Sequence, residues 1–228
     1  METVYTFWEG RMPAYIQMCL DTWKFPYVVL NYDTLHRYTD LRIDDRLKRF
    51  SLPQIADIVR VHVLRDNGGY WLDTDTIAIT EKLPEENIMG DPETRTNTIG
   101  FLHTEKGSEM FRQWAEYQDK ILSEPDPSKA WYIMGNGFTD SYLKSHEDIQ
   151  ITPVNNRWAE TYFIPGNHSR YTKYQQFYFR SHHSLHELNP TDLLMLHNSW
   201  TPTQYKELNR EQVLAQDCTL SNILRELP

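Results

Sequence analysis

QIADIVRVHVLRDNGGYWLDTDT, residues 54–76, changes backbone geometry once, and that change sets the fold. Ile55, Ile58, Val59, Val61 and Val63 recur at helical spacing and give a broad apolar face to a helix over 53–66. Ser51 and Pro53 supply its start, since a Ser cap and an early Pro both suit a first turn. Asn67-Gly68-Gly69 stops it, because Asn and Gly tolerate the left-handed conformation that closes a helix. YWLD (70–73) then reads as a short strand, with Asp73 and Asp75 at or just past its end. Alternate strand residues face one way, so the two carboxylates are expected to aim at one point. Carboxylates are costly to bury without a positive partner, and the nature of that partner decides what the segment does.

Working outward, residues 3–8 read as a buried strand, 13–23 as a helix and 27–32 as a second strand. This β-α-β opening predicts an α/β fold with a mostly parallel central sheet flanked by helices. Downstream, 98–103 reads as a strand, 107–122 as a helix and 131–145 as a loop entering a helix. Residues 149–200 read as strand- and loop-rich, and 209–226 as a final helix. No Gly/Ser- or Pro-rich linker interrupts the chain, so residues 1–228 are expected to form a single domain.

Composition narrows the function. A net charge of −9 argues against a nucleic-acid partner, which requires a basic face, and is compatible with a metal-dependent site. Aromatic residues are abundant, and core packing accounts for most of them. Cys19 and Cys218 form no framework and read as free thiols in a reducing compartment. No apolar run reaches the ~18 residues that span a bilayer. The start, METVYTFWEGR, lacks a signal peptide's basic and apolar regions, so a cytoplasmic location is expected.

Oxygen ligands such as Asp73 and Asp75 suit Mg²⁺ or Mn²⁺. Two aspartates make half a site, and a diphosphate completes it. A bare Asp-x-Asp is common, and its plain alternative is a solvated turn. Asp57 and Arg60, however, stand three apart on one helical face just upstream. Their plain alternative is a surface ion pair contributing about 0.2–0.5 kcal/mol. Because the helix runs through the Gly-Gly turn into the aspartates, both sets can border one cleft at the carboxyl ends of strands.

The segment resembles the sugar-binding region of glycosyltransferase family 32. Ala56, Asp57, Arg60, Leu64, Gly68, Gly69, Asp73 and Asp75 fall in step with the family's pattern. His62 and its neighbours replace the usual Tyr-containing region, and Trp71 stands where Tyr is frequent. The likeness covers roughly residues 3–144 and 190–200. VYTFWEG resembles the family's opening strand, NTIGFLHTEKGSEMF the strand–turn–helix after the aspartates, and LMLHNSW a His-x-x-Ser-Trp segment shortened to His197–Trp200. Residues 165–190 have no counterpart and are expected to be an insert. Residues 197–228 are expected to form a C-terminal loop and helix.

The resemblance implies a GT-A fold, a nucleotide-sugar donor, a divalent cation (Mn²⁺ or Mg²⁺) and retention of anomeric configuration. It implies that Asp75 ligates the metal, that Asp73 reaches the metal through water or touches the ribose, and that His197 adds an imidazole. A core histidine is the alternative for His197. Asp57 and Arg60 would hold donor sugar hydroxyls or phosphate, Phe7 and Trp8 the nucleotide, and Asn97 the sugar. Asn136, at a proline-like family position, joins the catalytic set. Ser199 and Trp200 would close on the diphosphate. The implied donor is a UDP-hexose. The implied acceptor is a saccharide or lipid-linked saccharide of bacterial surface or capsular polysaccharide synthesis, reached by peripheral association with the inner membrane face. A protein acceptor, as for related toxins, is the alternative. The basic, aromatic stretch 168–188 is expected to be a surface hairpin or insert near the acceptor.

Two rival readings exist. A haloacid-dehalogenase-type phosphohydrolase also presents Asp-x-Asp after a strand, but that motif opens its chain and is followed by Thr or Val where Ile77 stands. A metal- or carbohydrate-binding module explains the carboxylates and aromatics and leaves Asp57 and Arg60 unexplained.

Overall fold

Strands form where β-branched and aromatic residues concentrate, as in Val4–Phe7 and Tyr27–Leu30. The computed structural model describes residues 2–83, 85, 88–127, 130, 132–153, 170–188 and 193–227. In chain order the strands are β1 Val4–Phe7, β2 Tyr27–Leu30, β3 Gly69–Leu72, β4 Thr76–Ala78, β5 Met89–Asp91, β6 Thr96–Asn97, β7 Phe101–Thr104, β8 Thr152–Pro153 and β9 Leu193–Met195. The helices are α1 Ala14–Asp21, α2 Leu52–Asn67, α3 Glu109–Ser123, α4 Asn136–Ser145, α5 Arg170–Arg180, α6 Leu185–Leu188, α7 Thr203–Lys206, α8 Arg210–Ala215 and α9 Thr219–Glu226. The chain divides into two compact units. The first is Met1–Glu9, Pro26–Asp73 and Pro84–Pro153; the second is Gly10–Phe25, Thr74–Leu83 and Val154–Pro228.

The first unit is built on a sheet of order β2-β1-β3-β7. β2, β1 and β3 are parallel, and β7 joins antiparallel to β3. This is the mostly parallel α/β arrangement expected. Helix α2 lies against β1 and β3 and packs α3. Its start matches the sequence signal: Gln54 Oε1 accepts the Ser51 backbone N–H at 3.2 Å and the Ser51 hydroxyl at 2.8 Å. Its end is closed by Gly68 and Gly69 at φ +69° and +89°, where the Gly68 N–H donates to Leu64 O at 2.8 Å. A Cβ on Gly68 would lie 2.5 Å from Lys106 N, and one on Gly69 2.6 Å from Thr3 O. Ile58, Val59, Val63, Trp71, Leu102 and Trp114 are fully buried in the core between helices and sheet. A small sheet, order β6-β5-β8, completes the unit.

In the second unit β4 pairs antiparallel with β9, and α1 packs on β4 and α8. Helix α1 lies between β1 and β2 in sequence yet belongs to this unit. The two cysteines are free, as expected, and both are buried.

Three expectations need correction. Strand β3 ends at Leu72, and Thr74 and Asp75 form a turn, so strand alternation does not orient Asp73 and Asp75. The division between the units also passes between them. Within the stretch read as a hairpin, residues 170–180 are the helix α5, whose Tyr174 and Tyr178, four apart, are fully buried. Residues 154–169 and 189–192 of the expected insert and its surroundings lie outside the described residues. The single C-terminal helix is two, α8 and α9, because Gln216 and Cys218 adopt extended backbone between them.

Candidate active site

Helix α2 places Asp57 and Arg60 on one buried face, their side chains 13% and 4% exposed, which rules out a surface ion pair. Arg60 Nη2 lies 2.9 Å from Asp57 Oδ1 and 3.1 Å from Asp73 Oδ1. Its Nη1 donates to Ile99 O, and its Nε reaches Ala56 O at 3.4 Å. The guanidinium carbon stands 5.1 Å from the centre of the Trp71 ring. Trp71 Nε1 donates at 2.8 Å to Asp73 Oδ1, the same oxygen Arg60 engages. The Asp73 N–H donates to Gly100 O at 2.9 Å. Asp73 is thus gripped at its backbone and one carboxylate oxygen, and its side chain stays one-third exposed.

One cation here serves two carboxylates. Burial drives the Asp57 pKa up to about 7, Arg60 opposes the rise, and Asp73 adds to it. Near neutral pH the cluster therefore exchanges a proton at Asp57, which changes the charge Arg60 must balance.

A second layer fixes this cluster. Gln118 Nε2 of α3 donates to Asp57 O at 3.0 Å and to Met134 O at 2.6 Å. Met134 leads into Gly135, which caps α4 so closely that a Cβ would lie 3.0 Å from Asp57 Oδ2 and 2.5 Å from Ile99 Cδ1. The next residue, Asn136, donates through Nδ2 to Asn97 O at 2.8 Å. Asp57, Asn97, Asn136 and Asp73 are therefore joined through short links. Phe7 ends β1 beside Tyr32, with ring centres 5.8 Å apart. β1 and β3 are parallel with Tyr5 opposite Trp71, so Phe7 and Asp73 leave the sheet at the same carboxyl edge. At that edge the Trp8 N–H donates to Leu30 O at 2.9 Å, and its buried Nε1 meets no acceptor among the described residues.

The second unit holds Asp75, His197, Ser199 and Trp200. Asp75 stands just before β4, its backbone O accepting the Leu196 N–H at 2.9 Å. Its Oδ2 accepts the Asn198 N–H at 2.6 Å. Asp75 thus bonds to the residues on both sides of His197. The His197 ring stacks on Trp200 at 4.1 Å and meets Tyr174 edge-on at 5.7 Å. Asn198, Ser199 and Trp200 form one turn of 3₁₀ helix. Lys206 sits in the field of Asp75: burial pushes its pKa down, and the Asp75 charge pulls it back.

Among the described residues no group of three His, Cys, Asp or Glu side chains forms a metal cage. The donors around the 196–198 segment, a carboxylate at Asp75 and an imidazole at His197, are of the types that Mn²⁺ accepts. Two such donors would leave the rest of a cation's shell to water or substrate oxygens.

Residues 1–218 match a family model described as capsular polysaccharide synthesis protein. The chain belongs to that family. Among solved structures this family member is similar to one titled PaToxG Glycosyltransferase, at 16% identity, 65% coverage of this chain, 69% of that chain and a TM-score of 0.42. No curated protein matches it.

Sequence reasoning about this capsular polysaccharide synthesis family member missed Trp71, Gly135, Gln118, Tyr15 and Asn198. Trp71 carried a signal, since it shares alternate spacing with Asp73 next to a Gly-Gly turn. Gly135 carried one too, in its Met-Gly-Asn-Gly context. Gln118 and Tyr15 carried none, because each acts on residues far away in the chain.

Proposed function

We propose that this protein is a metal-dependent, retaining glycosyltransferase of GT-A type. It would move a sugar from a nucleotide donor of the UDP-hexose kind to a saccharide or lipid-linked saccharide during capsular or other surface polysaccharide synthesis. The observation that carries the reading is the bond of one buried guanidinium, Arg60, to both Asp57 and Asp73. It makes the helix motif and the first motif aspartate a single assembly at the carboxyl edge of a parallel sheet, where α/β proteins bind ligands. Family membership supports the pathway, since building a polysaccharide requires glycosidic bond formation.

In this reading Phe7 and Trp8 line the base site, and Trp8 offers its indole N–H to the nucleotide. Asp73, fixed by Arg60 and Trp71, presents its exposed edge to the ribose or to a metal-bound water. Asp57, Asn97 and Asn136 border the donor sugar. Arg60 acts mainly through Asp73, because its own bonds end on protein groups. Asp75 and His197 would hold Mn²⁺ or Mg²⁺, whose Lewis acidity would ease departure of the diphosphate. Ser199 and Trp200 close on that diphosphate and exclude water. Catalysis then rests on positioning and on electrostatic stabilisation of an oxocarbenium-like state. No described helix is long and apolar enough to cross a membrane. A cytoplasmic protein docking peripherally at the inner face of the membrane is part of the proposal.

The test is a panel of nucleotide sugars with Mn²⁺, read as nucleoside diphosphate released without acceptor. At least one donor should be cleaved, and only with metal. Asp75→Asn should lower that rate by on the order of 100-fold. Its far-ultraviolet circular dichroism should match wild type, because the new carboxamide still accepts the Asn198 N–H. A panel with no metal-dependent release, or full activity in Asp75→Asn, would end this reading.

A further inference from the structure

We propose that Tyr15 and Tyr174 are positioning residues for Asp75, two buried phenols that set the 197–201 turn so that its Asn198 amide grips the carboxylate. The inference rests on the reading of Asp75 as a cation ligand given above. Tyr15 comes from α1, is 0% exposed, and donates through its hydroxyl to Asn198 Oδ1 at 2.5 Å. Tyr174 comes from α5, is also 0% exposed, and accepts the His197 N–H on its hydroxyl at 3.1 Å. Thr201 ties the turn's far end: its Oγ1 donates to His197 O at 3.1 Å and lies 3.3 Å from the Tyr174 hydroxyl. The Thr201 N–H closes the turn on the same His197 O at 3.0 Å.

The turn is thus held on one side through the Asn198 carboxamide and on the other through the His197 amide. The Asn198 N–H between these anchors points at Asp75 Oδ2, 2.6 Å away. A carboxylate on a turn would otherwise sample several rotamers, and losing that freedom on cation binding would weaken the binding. Phenylalanine would fill either tyrosine's space without burying a hydroxyl, and a buried hydroxyl is unfavourable unless bonded. Both hydroxyls spend their bonds on this one turn. The arrangement also accounts for α5, which buttresses the turn from the segment for which family resemblance supplied no counterpart.

The experiment uses the full chain with Tyr15→Phe, Tyr174→Phe and Asn198→Ala, the last removing the Tyr15 acceptor while keeping the amide that bonds Asp75. Three quantities are read: hydrogen exchange of the residue-198 amide by NMR, Mn²⁺ binding from the free-ion EPR signal, and the Mn²⁺ concentration giving half-maximal donor hydrolysis. Each variant should speed amide exchange and raise both metal values by roughly three- to tenfold, the scale of one hydrogen bond. Turnover at saturating Mn²⁺ should stay within about twofold, because the carboxylate is present and only its orientation is loosened. Tyr15→Phe combined with Asn198→Ala should cost no more than either alone, since both remove one interaction. A purely structural role would lower the melting temperature and leave metal binding at the wild-type value, and that result overturns the proposal. If wild-type protein shows no metal-dependent donor cleavage, the glycosyltransferase reading fails. The tyrosine inference is then decided by residue-198 exchange alone, and unchanged exchange refutes it.

Discussion

Replacing Asp57 by asparagine tests whether burial or the Arg60 partner governs the centre of the site. In the folded protein burial drives the Asp57 pKa up to about 7, and an unfolded aspartate sits at 3.8. A folded state that binds its proton more tightly is most stable where that proton is on. Asp57 therefore contributes stability that is fully present below pH 3.8 and is lost as pH rises through about 7. With about 1.4 kcal/mol per pKa unit, the loss between pH 4.5 and 7.5 comes to about 3 kcal/mol. The carboxamide that Asp57→Asn introduces carries no proton to lose and keeps an oxygen for Arg60. The assay is urea unfolding of Asp57→Asn and wild type at both pH values, taking the difference between the proteins so that other titrating groups cancel. The variant should gain about 3 kcal/mol on wild type between pH 4.5 and 7.5. A difference that stays level would mean an ordinary carboxylate. A difference of opposite sign would mean that the Arg60 pair outweighs burial, and the account of a burial-dominated Asp57 would be wrong.

Arg60→Met keeps much of the side-chain volume and removes the charge, leaving Asp57 and Asp73 with no counterion among their observed bonds. It should cost about 3–5 kcal/mol in unfolding free energy at neutral pH and less in acid, where Asp57 holds its proton. Equal losses at both pH values would show that packing, not charge, is at stake. Gly135→Ala would push a methyl against Ile99 Cδ1 and Asp57 Oδ2 and should cost about 1–3 kcal/mol. Ile99→Val removes Cδ1 and should restore part of that loss in the double variant. Purely additive losses would indicate a backbone origin.

Much of this fold was legible because local chemistry and tertiary need agree. The apolar spacing of α2, its Ser51 start and its two terminal glycines each predict the same element, and the strand after it follows from Tyr70 and Trp71. The three-residue spacing of Asp57 and Arg60 by itself puts them on one helical face. What failed lay where local signals were weak or conflicting. Helix α5 is rich in Tyr and Phe, residues that also favour strands, so composition alone does not separate a hairpin from the helix that buries Tyr174 and Tyr178. With Asp73 and Asp75 at or just past a strand's end, two-residue alternation predicts a shared direction, but pairing stops at Leu72. Asp75 is bonded by Asn198, which Tyr15 holds in turn; Tyr15 and Asn198 stand 183 residues apart, and no window of sequence relates them.

The helix stop at Gly68 and Gly69 has an evolutionary consequence. Both glycines are wedged against backbone, at Lys106 N and Thr3 O, so neither can slide to absorb a change in chain length. The interval from Arg60 to Asp73 is therefore a ruler. One residue inserted or deleted at 67–69 would rotate the strand's exit by half its two-residue period and send the aspartate away from the guanidinium. Indels should be excluded from this short span more strictly than point changes, and lineages of this family should vary in length almost anywhere else first.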